Sequence, residues 1–321
     1  MNKISLGTYK DVNAVILEND FLKVTLLPEI GSKIASIIYK PLNYEALWQN
    51  PGKEYKRTNY GDSYPAGEFS GFDEMFPSIS RCFYENPPFA GTEIPDHGEV
   101  WSIPWQFSVE KDYVILEVKG VRLPYKICKK VSLEGDRIRI EYEAVTLSNS
   151  DLDFIWAAHP LFNASKGMEF IVPPGMDKIV NAVPGKHMSE YGKAYDFPVA
   201  QLHDGSKFNL AIVPEKNNDG YQKYYFLGKV TQGWCILYEP ARKLNIGMSF
   251  PKEKVPYLGM WLNEGGWDGQ YNIAPEPATA AMDSINATKL WQMNSVLKAN
   301  QKLDWFLNIS FHIGKKLTSI T

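Results

Sequence analysis

Strict two-residue alternation is the feature that most constrains what this chain can fold into. Ile138, Ile140, Tyr142 and Ala144 face one way, while Arg137, Arg139, Glu141 and Glu143 face the other. Successive side chains leave a strand on opposite faces, so this pattern describes a strand with one buried and one wet face, as antiparallel sheets have. Residues 127–133 precede it through Glu134-Gly135-Asp136, a hairpin signal, and residues 15–17 and 22–27 flank Asn19-Asp20 in the same way. Near the C-terminus Trp305, Leu307, Ile309, Phe311 and Ile313 alternate with polar and aromatic neighbours. Further strands are expected at 113–118, 153–158, 208–213, 233–238 and 244–250. Helical periodicity is nearly absent: Leu290, Met293 and Leu297 suggest one helix over 288–297.

With 321 residues, no internal repeat and no Gly/Ser- or Pro-rich linker, the pattern predicts one all-β domain over 1–321. Many strands in one domain close their edges by pairing, which points to a large antiparallel β-sandwich. A net charge of −3 lacks the basic footprint of a nucleic-acid binder and gives no bulk attraction to anionic lipid. No run reaches the roughly 20 apolar residues of a membrane helix, and the N-terminal segment lacks an apolar signal-peptide core. Cys82, Cys128 and Cys235 stand far apart without a CxxC pair, which suits a reducing compartment. A cytoplasmic protein is therefore expected. Its expected partner is a neutral or small molecule, and open strand edges leave room for a homodimer.

Two segments, 59–106 and 256–283, break the alternation and are rich in Gly, Pro and aromatic residues. Such long irregular stretches in a compact domain are usually functional, so both are expected to be binding loops. Histidine titrates nearest neutrality, and two of the five stand in these surroundings or at strand ends. His97 lies in Pro95-Asp96-His97-Gly98-Glu99, and His159 in Ala157-Ala158-His159-Pro160. Taken singly, each is more often a hydrogen-bonded core histidine than a catalyst. If residues 96–99 are a strand, Asp96 and His97 point oppositely and form no dyad, whereas His97 and Glu99 share a face. His187, His203 and His312 stand in polar contexts and are expected at the surface.

Among the acids Glu276 stands out between Pro275 and Pro277. The prolines fix φ on either side and hold an extended backbone, which suits either a positioned base or a rigid edge loop. Asp73, Glu74 and Arg81 cluster in Gly71-Phe72-Asp73-Glu74-Met75-Phe76-Pro77-Ser78-Ile79-Ser80-Arg81, a donor and acceptor set matched to hydroxyl groups or to a local ion pair. No metal-ligand spacing, GxGxxG, phosphate loop or GxSxG is present, so neither a cofactor nor a metal is expected.

Together these pieces resemble the galactose mutarotase-like (aldose 1-epimerase) family. The matching elements, in order, are GFDEMFPSISR, DHGEVWSIPW, AAHPLFN, YLGMWLNEGGW and APEPAT. The resemblance implies a supersandwich fold, a carbohydrate ligand and cofactor-independent interconversion of sugar anomers. It implies His159 as general acid to the ring oxygen, Glu276 as base to the anomeric hydroxyl and His97 as an orienting group. Trp261 would stack on the sugar, and Asp73, Glu74 and Arg81 would bind hydroxyls. Pro160-Leu161 departs from the family's His-x-Tyr-Phe-Asn, and no Arg closely follows His97-Gly98. An epimerase acting on a hexose 6-phosphate, with a cation pair for the phosphate, is one alternative. A non-catalytic carbohydrate-binding protein, in which His159 and Glu276 need not meet, is the other.

Overall fold

The computed structural model describes residues 2–320. Among them the chain forms two large sheets, of 13 and 8 strands, with three two-stranded ladders at the periphery. The 8-stranded sheet runs Glu169–Ile171, Trp234–Glu239, Leu244–Ser249, Lys302–Ile313, Arg137–Thr146, Tyr125–Glu134, Tyr113–Lys119 and Gln106–Val109. Its alternation is the one read from sequence: Ile138, Ile140, Tyr142 and Ala144 are buried, while the intervening Arg and Glu residues reach solvent. These inner faces pack with Ile127, Val131, Leu307 and Ile309 into one apolar cluster shared with the larger sheet. Burying each such side chain contributes about 1.5–3 kcal/mol, and the sandwich is the way both sheets hide one face.

The larger sheet begins with the N-terminal meander Lys3–Tyr9, Val12–Glu18, Leu22–Leu27 and Lys33–Tyr39. It continues through Phe72–Met75, Ala157–Pro160, Tyr271–Ala278, Tyr257–Glu264, Tyr221–Phe226, Lys178–Val183 and Ala194–Asp196. Several of these strands are buried on both faces, because Tyr64, Phe69 and Trp101, from the segments flanking Phe72–Met75, pack on Leu161, Trp261 and Ala274 in a cluster separate from the sandwich core. That covering explains one difference from the sequence expectation. Segment 256–283 is not a loop but holds two eight-residue strands, Tyr257–Glu264 and Tyr271–Ala278. A strand with two dry faces has no polar beat, so alternation fails to mark it.

Other expectations shift for local reasons. The helix is Ile285–Leu290, capped by Ser284 accepting from the Ala287 N–H at 3.2 Å. Gln292 adopts a positive φ of 57° and stops it, and Ser295–Leu297 pairs as a strand with Leu152–Phe154. Leu290 is 85% exposed, so the apolar stripe faces no core. Residues 153–158 divide between Leu152–Phe154 and Ala157–Pro160, and in 208–213 the strand is Lys207–Asn209.

Candidate active site

Register sets the site. On the large sheet His159 stands opposite Asp73, Ala157 opposite Ala278, Glu276 opposite Gly259, and Gly259 opposite Tyr225. Directly opposed residues share a face. Asp73, His159, Glu276, Gly259 and Tyr225 therefore form one row across five strands, and Ala274, Trp261, Lys223 and Val183 form the next. A cavity of about 190 Å³ lies over these rows, walled by Tyr64, Phe69, His97, His159, Lys223, Trp261, Trp267 and Asp283.

Pro275 and Pro277 sit in an interior strand, where a missing N–H normally costs a ladder bond. Two residues apart, they lose donors on the same side. On the side of residues 157–163 the strand pairs at Ala278, Ile273 and Asn272 and has no ladder partner between them. The prolines thus occupy the one stretch that needs no donors, and they fix the backbone of Glu276.

Glu276 and His159 meet there. Their nearest atoms, Oε1 and Nε2, are 3.6 Å apart, too far for a hydrogen bond. Oε1 is buried with no partner, while Oε2 accepts from the Lys223 ammonium. Lys223 also faces Asp283 at 3.6 Å, and Asp283 accepts from the Tyr225 hydroxyl at 2.6 Å. Burial pushes the Glu276 carboxyl up to about 7; Lys223 opposes this and the charge of Asp283 adds to it. Burial, reinforced by the positive charges of His97, Lys223 and Lys33, holds His159 well below the ordinary histidine range. Glu276 itself has no exposed surface, so it lies one layer beneath the cavity wall, behind His159 and Lys223.

Behind His159 runs a second chain of polar contacts. The Tyr64 hydroxyl lies 3.3 Å from His159 Nδ1 and donates to Asp73 Oδ2 at 2.7 Å. Lys33 pairs with the same oxygen at 2.7 Å and donates to the Ser70 carbonyl. The Tyr64 ring stacks on His97 with centroids 4.0 Å apart and planes 8° from parallel.

His97 does not sit in a strand. It occupies a turn with φ 58°, followed by Gly98 at φ 80°, where a Cβ would fall 2.1 Å from the Phe76 carbonyl oxygen. The turn swings the neighbouring carboxylate back, so Asp96 and His97 do form a dyad, at 2.9 Å between Oδ1 and Nδ1. Burial alone would raise Asp96, but the His97 hydrogen bond and charge outweigh it and lower the carboxyl. Glu99 does not share a face with His97; it accepts from Tyr60 at 2.6 Å and from the Arg122 N–H at 2.7 Å.

Of the residues singled out in the sequence, His97, His159 and Trp261 line the cavity and Glu276 lies directly beneath it. Asp73 stands behind Tyr64. Glu74 is on the opposite face, as period two requires of its neighbour, and lies between the sheets. There it accepts from Lys129 at 3.1 Å, Tyr142 at 2.9 Å and Trp156 at 2.9 Å. Arg81 is 69% exposed and pairs with Glu93 outside the cavity. His203 and His312 are exposed as expected; His187 is half-buried, stacked on Phe208 and 3.2 Å from Glu264. Lys223, Asp283, Tyr64 and Trp267 were not singled out by sequence. Lys223 carried the one usable signal, a lysine inside the aromatic run of Tyr221–Phe226.

No protein-family model matches the chain, and no curated protein matches it in sequence. Solved structures do resemble it. The Slr1438 protein of Synechocystis is 14% identical with a TM-score of 0.70, covering 96% of this chain and 99% of that one. A galactose mutarotase-like protein from Lactobacillus casei is 18% identical at 0.66, covering 93% and 100%. A galactose mutarotase related enzyme from Lactobacillus acidophilus is 14% identical at 0.65 and covers both chains in full. The chain has the galactose mutarotase-like fold.

Proposed function

We propose that this protein is an aldose 1-epimerase-type isomerase acting on a free, uncharged aldose, with His159 and Glu276 as its proton-transfer pair. The observation that carries it is the meeting of Nε2 and an unpartnered, buried Oε1 at 3.6 Å beside an aromatic-walled cavity. Anomer exchange removes the proton of the C1 hydroxyl, breaks the bond from C1 to the ring oxygen and protonates that oxygen. Rotation about C1–C2 and the reverse steps close the other anomer. One acid and one base suffice, and positioned groups accelerate such transfers by roughly 10²–10⁴-fold.

A pair sharing one proton supplies both. With the proton on His159, His159 is the acid and Glu276 the base, as the resemblance implies. With it on Glu276, the roles exchange. The proton affinities favour the second form in the empty site, since Glu276 is raised to about 7 and His159 is lowered. A carboxyl near 7 gives and takes protons with comparable ease at neutral pH. Lys223 stands between the cavity and Glu276, so on this reading its ammonium turns aside when the substrate engages the carboxyl. Trp261 and Trp267 offer flat apolar faces to the ring, and His97 and Asp283 offer polar atoms to its hydroxyls.

Two observations separate this reading from its alternatives. A phosphate would need spare cations, but Lys223 already faces two carboxylates and Arg81 lies outside the cavity. A binding protein without chemistry has no need to bring a carboxylate with one unpartnered oxygen to an imidazole in the dry interior, where such an oxygen is costly. NMR anomer exchange over a panel of free aldoses and their 6-phosphates tests the proposal. Exchange of a free aldose, lost in H159Q and E276Q, is expected. A panel in which no free sugar is turned over would defeat it.

A further inference from the structure

Tyr64 owns one hydroxyl proton, and its position is dictated by what surrounds it. Asp73 is fully buried, ion-paired with Lys33 at 2.7 Å, and its Oδ2 lies 2.7 Å from the Tyr64 oxygen. A carboxylate accepts and does not donate, so the Tyr64 proton points at Asp73. The remaining lone pairs of the Tyr64 oxygen face His159 Nδ1 at 3.3 Å. Two acceptors cannot share that contact, so Nδ1 must carry a hydrogen. A neutral imidazole has only one, and Nε2 is then left as a bare lone pair turned towards Glu276 Oε1.

We propose that Tyr64, held by Asp73, is a positioning residue that fixes the proton of His159 on Nδ1 and dedicates Nε2 to proton transfer with Glu276. The consequence for catalysis rests on the anomer-exchange reading; the tautomer does not. His97 is arranged in parallel, because Asp96 Oδ1 accepts at its Nδ1 from 2.9 Å, and the stacked Tyr64 ring keeps the two imidazoles in place. Without the Tyr64 oxygen, the proton of His159 would favour Nε2, where it can be offered to Glu276. The transfer atom would then begin each cycle already occupied.

Long-range ¹H–¹⁵N NMR on protein labelled with ¹⁵N-histidine reads the tautomer directly, with His159 assigned by its absence in H159Q. Wild type at pH 6, where Glu276 keeps its proton and His159 is neutral, is expected to show a protonated Nδ1 and a bare Nε2. In Tyr64→Phe, which retains the ring stack on His97, the pattern is expected to move towards a protonated Nε2. A protonated Nε2 in neutral wild-type His159 would overturn the proposal by itself, even if Tyr64→Phe proves unstable; so would an unchanged tautomer in a folded Tyr64→Phe. If free aldoses are exchanged, the same variant should lose about 10²-fold in kcat with KM little altered, a loss within the range of general acid–base contributions. Absence of any turnover in wild type would refute the proposed function and leave the NMR result standing on its own.

Discussion

Glu276 and His159 should imprint opposite pH dependences on stability, and single substitutions should separate them. Glu276 is raised from 4.5 to about 7 by burial, so the folded chain holds its proton where the unfolded chain has released it. The stabilisation is complete below pH 4.5 and is lost as pH rises through about 7. At about 1.4 kcal/mol per pH unit, wild type should lose about 3 kcal/mol over that window from this group. His159 is lowered by burial and nearby positive charge, so the unfolded chain binds its proton first. Its stabilisation is complete above 6.5 and is lost as pH falls, with a slope approaching about 1.4 kcal/mol per pH unit. Between 4.5 and 6.5 the two slopes nearly cancel in wild type. Urea unfolding of wild type, E276Q and H159Q at pH 5, 6 and 7 exposes them. Wild type should lose about 2–3 kcal/mol relative to E276Q between pH 5 and 7, and should gain relative to H159Q from pH 5 to 6.5. Stability curves for E276Q and wild type that run parallel across pH 5–7 would show that Glu276 holds no extra proton in the folded chain.

On the proposed mechanism the same proton governs activity. Initial rates of anomer exchange should fall as pH rises through about 7, where the pair loses its last proton; in Lys223→Met this limb should move to higher pH, because Lys223 holds Glu276 down. Gly259→Ala places a Cβ 2.9 Å from the Tyr225 ring, whose hydroxyl holds Asp283, so calorimetry should show weaker sugar binding and denaturant titration a stability loss of about 1–3 kcal/mol. Glu74→Ala leaves Lys129 buried and unpaired between the sheets and should cost about 3–5 kcal/mol in urea unfolding, whereas Arg81→Ala, at the exposed rim, should stay within about 0.5 kcal/mol.

The fold was legible where one sheet face meets solvent. Arg137–Thr146 and Tyr125–Glu134 announce themselves because buried and solvent-facing positions alternate along them, and the hairpin at Gly135 joins them as read. Tyr257–Glu264 and Tyr271–Ala278 were illegible for the opposite reason. Both of their faces are dry, and Pro275 and Pro277 speak for a loop unless one knows that the ladder beside them is open. A burial pattern set by a covering loop from elsewhere in the chain leaves no period in the strand itself.

The site shows how far side-chain parity carries once the element type is known. Treating 96–99 as a strand separated Asp96 from His97, yet the positive φ of His97 and the crowding at Gly98 bring them into contact. The same rule, applied to Phe72–Met75, splits Asp73 from Glu74: one supports Tyr64 and His159, and the other ties the two sheets together. Lys223 shows where pattern gives out. Most lysines are solvated, and only the aromatic run of Tyr221–Phe226 hints at one that is buried between Glu276 and Asp283. On the proposed function, that ammonium nevertheless bears on the charge of the substrate. Lys223 is the only lysine or arginine among the described residues lining the cavity, and its two carboxylate neighbours engage it, which favours the hydroxyls of a neutral sugar over a phosphate in the proposed reading. A position only faintly marked in the sequence thus carries much of the argument for the proposed substrate class.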